Sequence, residues 1–162
     1  MVAQALAERW RLPRPRTRFR GLLSEGTVRL GGDRPVRVAV LEPQTYMNEA
    51  GRAVGPARGS YRLALERVLV VHDEIDLPFG ELRTRLGGGL AGHNGLKSLK
   101  RELGGADFRR VRVGVGRPDS TDPEIVSAYV LGRFRQSPAE VAELVARACE
   151  EVERVLEGRD EE

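Results

Sequence analysis

Cysteine, lysine and long apolar runs are scarce in this sequence. The single cysteine, Cys149, excludes an internal disulfide, which favours a protein that works in a reducing compartment. No apolar run approaches the roughly 20 residues that a membrane-spanning helix needs. The first residues do not resemble a secretory signal, because the charged Glu8 and Arg9 interrupt them and no small-residue cleavage site follows. These absences predict a cytoplasmic protein that does not contact a membrane.

Arginine, by contrast, dominates the basic residues. The 162 residues are 40% hydrophobic and 31% charged, which is the balance of one soluble globular domain. Among the 27 basic residues only Lys97 and Lys100 are lysines. The flat guanidinium suits phosphate contacts, but GC-rich coding accounts for the same bias. A net charge of +3 does not by itself indicate a nucleic-acid partner, so the position of the arginines along the chain has to decide.

Apolar periodicity along the chain predicts an α/β protein. We predict helices over 1–11, from Asn94 to a stop at Gly104, and from Ser137, whose capping box includes Glu140, to Gly158. We predict a hairpin of 21–30 and 36–41 with 31–33 in its turn, a buried central strand at 68–71, strands at 81–86 and 111–115, and a basic connection at 14–20. The expected fold is a single domain over 1–158, with a mixed twisted sheet and helices on both faces, and a frayed tail at 159–162.

Asp73 directly follows the apolar run at 68–71, and ligands bind beyond the carboxyl ends of strands in open α/β sheets. A carboxylate there can orient a histidine and stabilise its protonated form during base catalysis. Asp73 can equally be a turn residue or a helix cap. His72 and Asp76 lie nearby, but this single short cluster has no second histidine or cysteine at ligand spacing. We therefore expect no metal site here.

Asn48, Asn94 and His93 are the next candidate site residues. Both asparagines precede helical stretches, where each is a good N-cap. Their amides can also donate hydrogen bonds to a substrate carbonyl or to water. His93 can act as a base, donate to a phosphate or hold the loop, and a structural role is the first interpretation.

A glycine-rich stretch at 87–92 leads into His93 and can cradle phosphates ahead of a helix. It spells neither the Walker loop nor the dinucleotide fingerprint. Arg83 and Arg85 lie on one face of the preceding strand. Further basic residues follow the stretch, namely Lys97, Lys100, Arg101, Arg109, Arg110 and Arg112. Such a basic rim suits a phosphodiester backbone, although ordinary solvated charge gives the same pattern.

Five blocks of the sequence contain most of these candidate residues. The longest are Pro43-Gln44-Thr45-Tyr46-Met47-Asn48-Glu49-Ala50-Gly51, His72-Asp73-Glu74-Ile75-Asp76-Leu77-Pro78-Phe79-Gly80 and the stretch from Leu86 to Lys97 that contains Gly92-His93-Asn94-Gly95. The blocks at 108–116 and 129–134 add to them. Together the five blocks resemble the bacterial peptidyl-tRNA hydrolase family. Blocks of this length in the family's order are far more specific than any one motif, and the similarity runs from the first helix to the last.

The resemblance implies an enzyme that cuts the ester between a peptide and the terminal ribose of tRNA. It implies that Asn48 and Asn94 hold the peptide and terminal ribose, and that Tyr46 and Met47 line the pocket. It also implies that Asp73 orients the catalytic histidine and that His93 supports the pocket. Arg83, Arg85 and Arg112 fall where the family places basic tRNA contacts. The implied partner is peptidyl-tRNA, bound by a monomer without a metal or cofactor.

The sequence departs from the family's pattern at its start. Family members begin with a strand, a glycine-asparagine-proline-glycine turn and a threonine-arginine-histidine-asparagine segment that carries the general base. Met1 and Val2 align just after that segment. We expect a late-called start codon, a missing first strand and a chain that is itself weak or inactive. A noncatalytic RNA-binding relative, similar to the plant organellar splicing factors of this fold, is the main alternative. A nucleotide- or phosphate-binding domain is the third.

Overall fold

The computed structural model describes residues 1–30, 35–89, 93–116 and 136–158. In order, the elements are α1 (Val2–Arg9), β1 (Arg16–Arg18), β2 (Gly21–Arg29), β3 (Pro35–Pro43), a 3-10 helix (Met47–Glu49), α2 (Gly51–Tyr61), a second 3-10 helix (Leu65–Arg67), β4 (Leu69–Glu74), β5 (Leu82–Leu86), α3 (Asn94–Leu103), β6 (Arg109–Gly114) and α4 (Pro138–Leu156). They divide into two compact units. The first consists mainly of Ala3–Val70 with Arg85–Arg109, and the second of Val71–Thr84 with the described residues from Arg110 onward. The predicted α/β class is confirmed, whereas the tail at 159–162 lies outside the described residues.

The first unit contains an antiparallel sheet in the order β1-β2-β3. The predicted hairpin is confirmed, with β2 and β3 paired from Gly21 opposite Pro43 to Arg29 opposite Pro35, while its turn lies outside the described residues. A Cβ on Gly21 would stand 2.6 Å from the carbonyl oxygen of Glu42. Only glycine therefore allows β2 and β3 to approach this closely.

The prediction of a plain connection over 14–20 was wrong in part, because Arg16–Arg18 pair with β2 as strand β1. Two residues, Phe19 and Arg20, join the strands, and both have positive φ, 53° and 54°. Tight two-residue hairpin turns need this geometry but usually take it from Asn-Gly. The left-handed conformation costs a residue other than glycine about 1–2 kcal/mol. The ring of Phe19 offsets part of that cost, since it packs against Tyr61 with the ring centroids 6.4 Å apart.

The second sheet has the order β4-β6-β5. Its backbone bonds run from Arg109 N to Val68 O, Val115 N to Glu74 O, Gly87 N to Phe108 O and Gly114 N to Glu81 O. Bonded positions on β4 and β6 increase together, so these strands are parallel, whereas those on β5 and β6 run oppositely. The predicted mixed sheet is thus confirmed. Among the described strands, however, β6 is central, and the apolar residues that were expected there in β4 are only half-buried.

Helix α3 builds the core of the first unit. Its leucines at the predicted spacing are all buried, and they pack with Val68 and with Phe108, which is fully buried. Burying a side chain of that size stabilises the fold by roughly 1.5–3 kcal/mol. Gly104 ends the helix in the left-handed conformation, as predicted. Helix α2 packs on α3, and the Gly51 N–H donates to Ser98 Oγ at 2.8 Å.

Helix α4 belongs to the second unit and begins as predicted. The Ser137 side chain accepts from the Glu140 N–H, and the Glu140 side chain accepts from the Ser137 N–H. Its apolar stripe is buried at Val141, Leu144, Ala148, Cys149, Val152 and Val155. Two polar contacts fix it within this unit, because Arg147 donates to the Gly80 carbonyl and Thr84 to the Glu151 carboxylate, each at 2.8 Å.

Candidate functional site

The segment after β3 presents its side chains to solvent. Tyr46 is 82% exposed and Met47 45% exposed, which is unusual for large apolar side chains. Asn48 is also exposed and lies within the 3-10 helix Met47–Glu49. Its expected role as an N-cap was wrong, because α2 begins later, at Gly51, and has Ala50 in the cap position. The Asn48 amide is therefore not used to cap a helix.

The start of α3 contains a second correction. The cap residue is His93, whose Nδ1 accepts a hydrogen bond from the Leu96 N–H at 3.2 Å. Asn94, the predicted cap, is the first residue of the helix, and its side chain is exposed. An imidazole nitrogen that accepts this bond must be unprotonated, so it does the work that an asparagine or aspartate oxygen usually does. The structural interpretation of His93 is supported by this bond.

The first unit brings these two segments into contact around Gly95. A Cβ on Gly95 would stand 2.9 Å from His93 Cε1 and 3.0 Å from Met47 Sδ, so both side chains lie close to this glycine. Arg101 of α3 donates to the Asn48 carbonyl at 3.3 Å. Neither contact was predicted from the sequence, because nothing near Gly95 or Arg101 indicates a partner about 50 residues away along the chain. Exposed amides beside a helix N-terminus can bind a carbonyl oxygen or an anion.

Arg85 also belongs to the first unit and lies against the glycine-rich stretch. Its guanidinium contacts Gly88 where a side chain would otherwise stand, and Gly87 and Gly88 both have positive φ. These conformations are the ones that glycine adopts at little cost. Residues 90–92, the rest of the predicted phosphate cradle, lie outside the described residues.

The second unit holds Asp73, Arg83 and Arg112. Asp73 is half-buried near the end of β4, and its main-chain carbonyl lies 2.9 Å from Nδ1 of the buried His72. Arg83 is exposed, with its nearest carboxylate, Glu81, 3.8 Å away. Arg112 differs, because its Nε and Nη2 both donate to Glu74 Oε1, at 3.2 and 2.8 Å.

The pair of Arg112 and Glu74 is largely buried, the Glu74 side chain being 7% exposed and that of Arg112 22%. Much of the Arg112 charge is thus used inside the protein, which weakens the expectation that it contacts tRNA. Sequence reasoning missed Glu74 because it read the two residues in separate motifs.

Metal and membrane features are absent from the described part of the chain. Within residues 1–30, 35–89, 93–116 and 136–158, no three His, Cys, Asp or Glu side chains are grouped to hold an ion. No helix there has the length and apolarity to span a bilayer.

Comparison with known proteins gives one consistent result. A family model described as peptidyl-tRNA hydrolase matches residues 1–162. The peptidyl-tRNA hydrolase of Parvibaculum lavamentivorans is 46% identical over 152 residues, which is 94% of this chain and 69% of that protein. The Phenylobacterium zucineum protein of the same name is 41% identical over 162 residues, with 100% and 76% covered. A crystal structure of peptidyl-tRNA hydrolase from Acinetobacter baumannii superposes with a TM-score of 0.81 at 32% identity, covering 98% of this chain and 78% of that one.

Proposed function

This chain belongs to the peptidyl-tRNA hydrolase family, and on that premise we propose that it hydrolyses the ester between peptide and tRNA and so releases tRNA for reuse. The observation that carries the proposal is the contact of the Tyr46–Asn48 segment with α3, at Gly95 near its start and at Arg101 in its last turn. The Tyr46–Asn48 segment and the start of α3 lie within the sequence blocks that resemble the family. The two relatives named above are both called peptidyl-tRNA hydrolase, so they do not favour the noncatalytic alternative. We place the reaction in the cytoplasm and assign it to a monomer.

The chemistry required is the attack of water on an ester carbonyl. A general base takes one proton as the water oxygen bonds to the carbonyl carbon. The resulting tetrahedral oxyanion is stabilised by hydrogen-bond donors, and the ester bond then breaks as the ribose oxygen is protonated. We assign the donor role to the exposed amides of Asn48 and Asn94. Tyr46 and Met47 supply the apolar wall against which the peptide and terminal nucleotide lie.

Asp73 is assigned to the general base as its positioning residue. The base is the histidine that the family resemblance implies, which has no counterpart among the two histidines of the sequence. The Nδ1 atom of His72 lies 2.9 Å from the Asp73 carbonyl, and that of His93 caps α3. Each ring is thus engaged in a local structural contact. A carboxylate at Asp73 favours the imidazolium that forms when the base accepts a proton.

Arg83 and Arg85 are assigned to the tRNA body. Arg83 is exposed, and the Arg85 guanidinium contacts Gly88 and forms no ion pair within the described residues. Replacing both with glutamine should weaken tRNA binding and flatten its salt dependence, because fewer counterions are released. Hydrolysis of a minimal peptidyl-nucleotide should stay unchanged. Equal losses on both substrates would place these arginines in the catalytic pocket.

The test of the function is release of peptide from a peptidyl-tRNA. Two proteins are compared: the 162-residue chain, and the same chain preceded by the residues of the Parvibaculum lavamentivorans relative that come before its matched segment. The extended protein should hydrolyse the ester, and the chain alone should be about 100- to 10,000-fold slower, as expected when a general base is lacking. An extended protein that folds and binds tRNA but releases no peptide would refute the proposed function. Equal rates would show that the base lies within the 162 residues.

A further inference from the structure

A group of arginines on the first sheet is not used by the function proposed above. Residues in register across the strands share a face of the sheet, and one face carries Arg16 and Arg18 of β1, Arg29 of β2 and Arg37 of β3. All four are exposed. We call them the β1 patch. Among the paired residues of this face, four guanidinium groups accompany one carboxylate, that of Glu25, which leaves an excess of three positive charges.

The Glu25 carboxylate is already bound by two side chains of the first unit. The Tyr61 hydroxyl donates to its Oε2 at 2.7 Å, and Arg16 Nη2 donates to its Oε1 at 2.8 Å. The Tyr61 hydrogen bond first, and then the charges of Arg16, Arg18 and Arg37, hold the pKa of Glu25 below its usual value. In the part of the chain that the structure describes, Arg18 and Arg37 form no ion pair, so their charges are available to a ligand.

The patch is held in place and connects to the segment of the candidate site. The Arg18 guanidinium lies 4.4 Å from the centroid of the Phe19 ring, which in turn packs on Tyr61. The strained Phe19-Arg20 turn is fastened to the next segment, because the Gln44 N–H donates to the Arg20 carbonyl at 2.9 Å. Two residues after Gln44 comes the exposed Tyr46. The patch and the proposed wall of the pocket therefore belong to one continuous stretch of the first unit.

The chemistry of the patch fits a phosphodiester chain. Alternate residues of a strand are roughly 6.6 Å apart, so Arg16 and Arg18 present two planar forks in a row, each able to bind a phosphate. The exposed Tyr46, two residues after the Gln44 that bonds the Phe19-Arg20 turn, offers a stacking surface for a base. A membrane surface would need apolar side chains as well. Within the described residues, the exposed large hydrophobic side chains are those of Met1, Tyr46, Met47, Leu63 and Leu86, and none of them is a paired residue of this face.

We propose that the β1 patch binds the sugar–phosphate backbone of the tRNA part of the substrate and adds affinity without taking part in the chemistry. This inference rests on the proposed function, because it takes peptidyl-tRNA to be the substrate. It concerns arginines other than the Arg83 and Arg85 considered above. Its first consequence is that tRNA binding depends on salt through two separate groups of arginines.

The test uses Arg18→Gln combined with Arg37→Gln, which leaves the pair of Arg16 and Glu25 intact. The control, Arg67→Gln combined with Arg154→Gln, removes the same charge from exposed positions elsewhere. Binding of deacylated tRNA is measured over a fourfold range of salt concentration. The negative slope of log affinity against log salt should become shallower by about 1.4–1.8 in the test variant, since each lost phosphate contact removes roughly 0.7–0.9 from its magnitude. Across that range the unmodified chain should lose about 7- to 12-fold more affinity than the test variant. The control should match the unmodified chain.

Three results would overturn the inference: an unchanged slope in the test variant, an equal change in the control, or a charge-dependent affinity for vesicles with acidic lipids in place of tRNA. If the double variant fails to fold, Arg37→Gln alone, whose side chain has no contact with Phe19, should lower the slope by about half as much. Failure of the proposed function would appear separately, as binding of tRNA without release of peptide. Hydrolysis of a minimal peptidyl-nucleotide should be unchanged by the test variant, and a fall there would place the arginines in the pocket.

Discussion

Substitution of His93 separates a structural role from a catalytic one. Its Nδ1 caps the N-terminus of α3 by accepting from the Leu96 N–H at 3.2 Å, and α3 supplies three leucines to the core. His93→Ala leaves that N–H without its cap and should cost about 1 kcal/mol of unfolding free energy. For a protein of this size the melting temperature should fall by about 2–4 °C. His93→Asn supplies a carbonyl oxygen at the same place, so the melting temperature should change little.

Kinetics on the extended, hydrolysing protein complete the test. Asparagine is shorter than histidine and leaves a gap where His93 Cε1 lies, close to Gly95, which Met47 Sδ also approaches. KM for peptidyl-tRNA should therefore rise a few-fold in His93→Asn, while kcat stays within about twofold, because uniform binding is lost without a loss of transition-state stabilisation. A residue that serves as the general base would instead lower kcat by about 100- to 10,000-fold. Such a fall in His93→Asn, at an unchanged melting temperature, would refute the cap interpretation.

The other predictions concern single residues in both units. Asp73→Asn in the extended protein should lower kcat more than it raises KM and leave the melting temperature unchanged, because the charge that favours an imidazolium is lost; unchanged kcat would make Asp73 a turn residue. Arg112→Gln should cost about 1–3 kcal/mol in denaturant unfolding, because Glu74 stays buried without its charged partner; a mild effect together with weaker tRNA binding would restore Arg112 as a tRNA contact. Gly51→Ala should cost about 1–3 kcal/mol, since its Cβ would collide with the Ser98 carbonyl and stand 2.6 Å from Glu102 Cγ. Gly59→Ala is its control on the same helix, has nothing within 4 Å, and should stabilise by roughly 0.5–1 kcal/mol; equal effects of the two would contradict the packing argument.

The elements that the sequence predicted best are those with local causes. The leucine spacing and Gly104 of α3, and the capping box of Ser137 and Glu140, each involve residues within a turn or two of one another. Interactions of that range can be predicted from apolar periodicity and from cap residues. The hairpin of β2 and β3 was predicted for the same reason, because the short connection between the arms makes their pairing nearly local.

The features that the sequence could not reveal depend on pairing at a distance. Strand β1 forms because Arg16-Thr17-Arg18 pair with the edge of β2. Nothing in the composition of this segment indicates a strand. The pair of Arg112 and Glu74 joins positions that are 38 residues apart. The prediction of the α3 cap residue failed for a different reason. Propensity favours asparagine over histidine, whereas the backbone before α3 brings the imidazole nitrogen to the Leu96 N–H.

The glycines of the candidate site support a final prediction. Gly95 follows the glycine-rich stretch, and both Met47 and His93 lie close to it. A Cβ there would stand 2.9 Å from His93 Cε1, 3.0 Å from Met47 Sδ and 3.2 Å from His93 Nδ1. Met47 is flexible and half-exposed, so it can move aside, whereas a shift of the His93 ring weakens its bond to the Leu96 N–H. Gly95→Ala should therefore cost no more than about 1 kcal/mol, the contribution of that cap. KM for peptidyl-tRNA should nevertheless rise, because Met47 is displaced from its place in the pocket. Unfolding by denaturant and steady-state kinetics measure the two effects. A loss of stability as large as that of Gly51→Ala, with KM unchanged, would show that Gly95 serves packing alone and that Met47 does not contact the substrate.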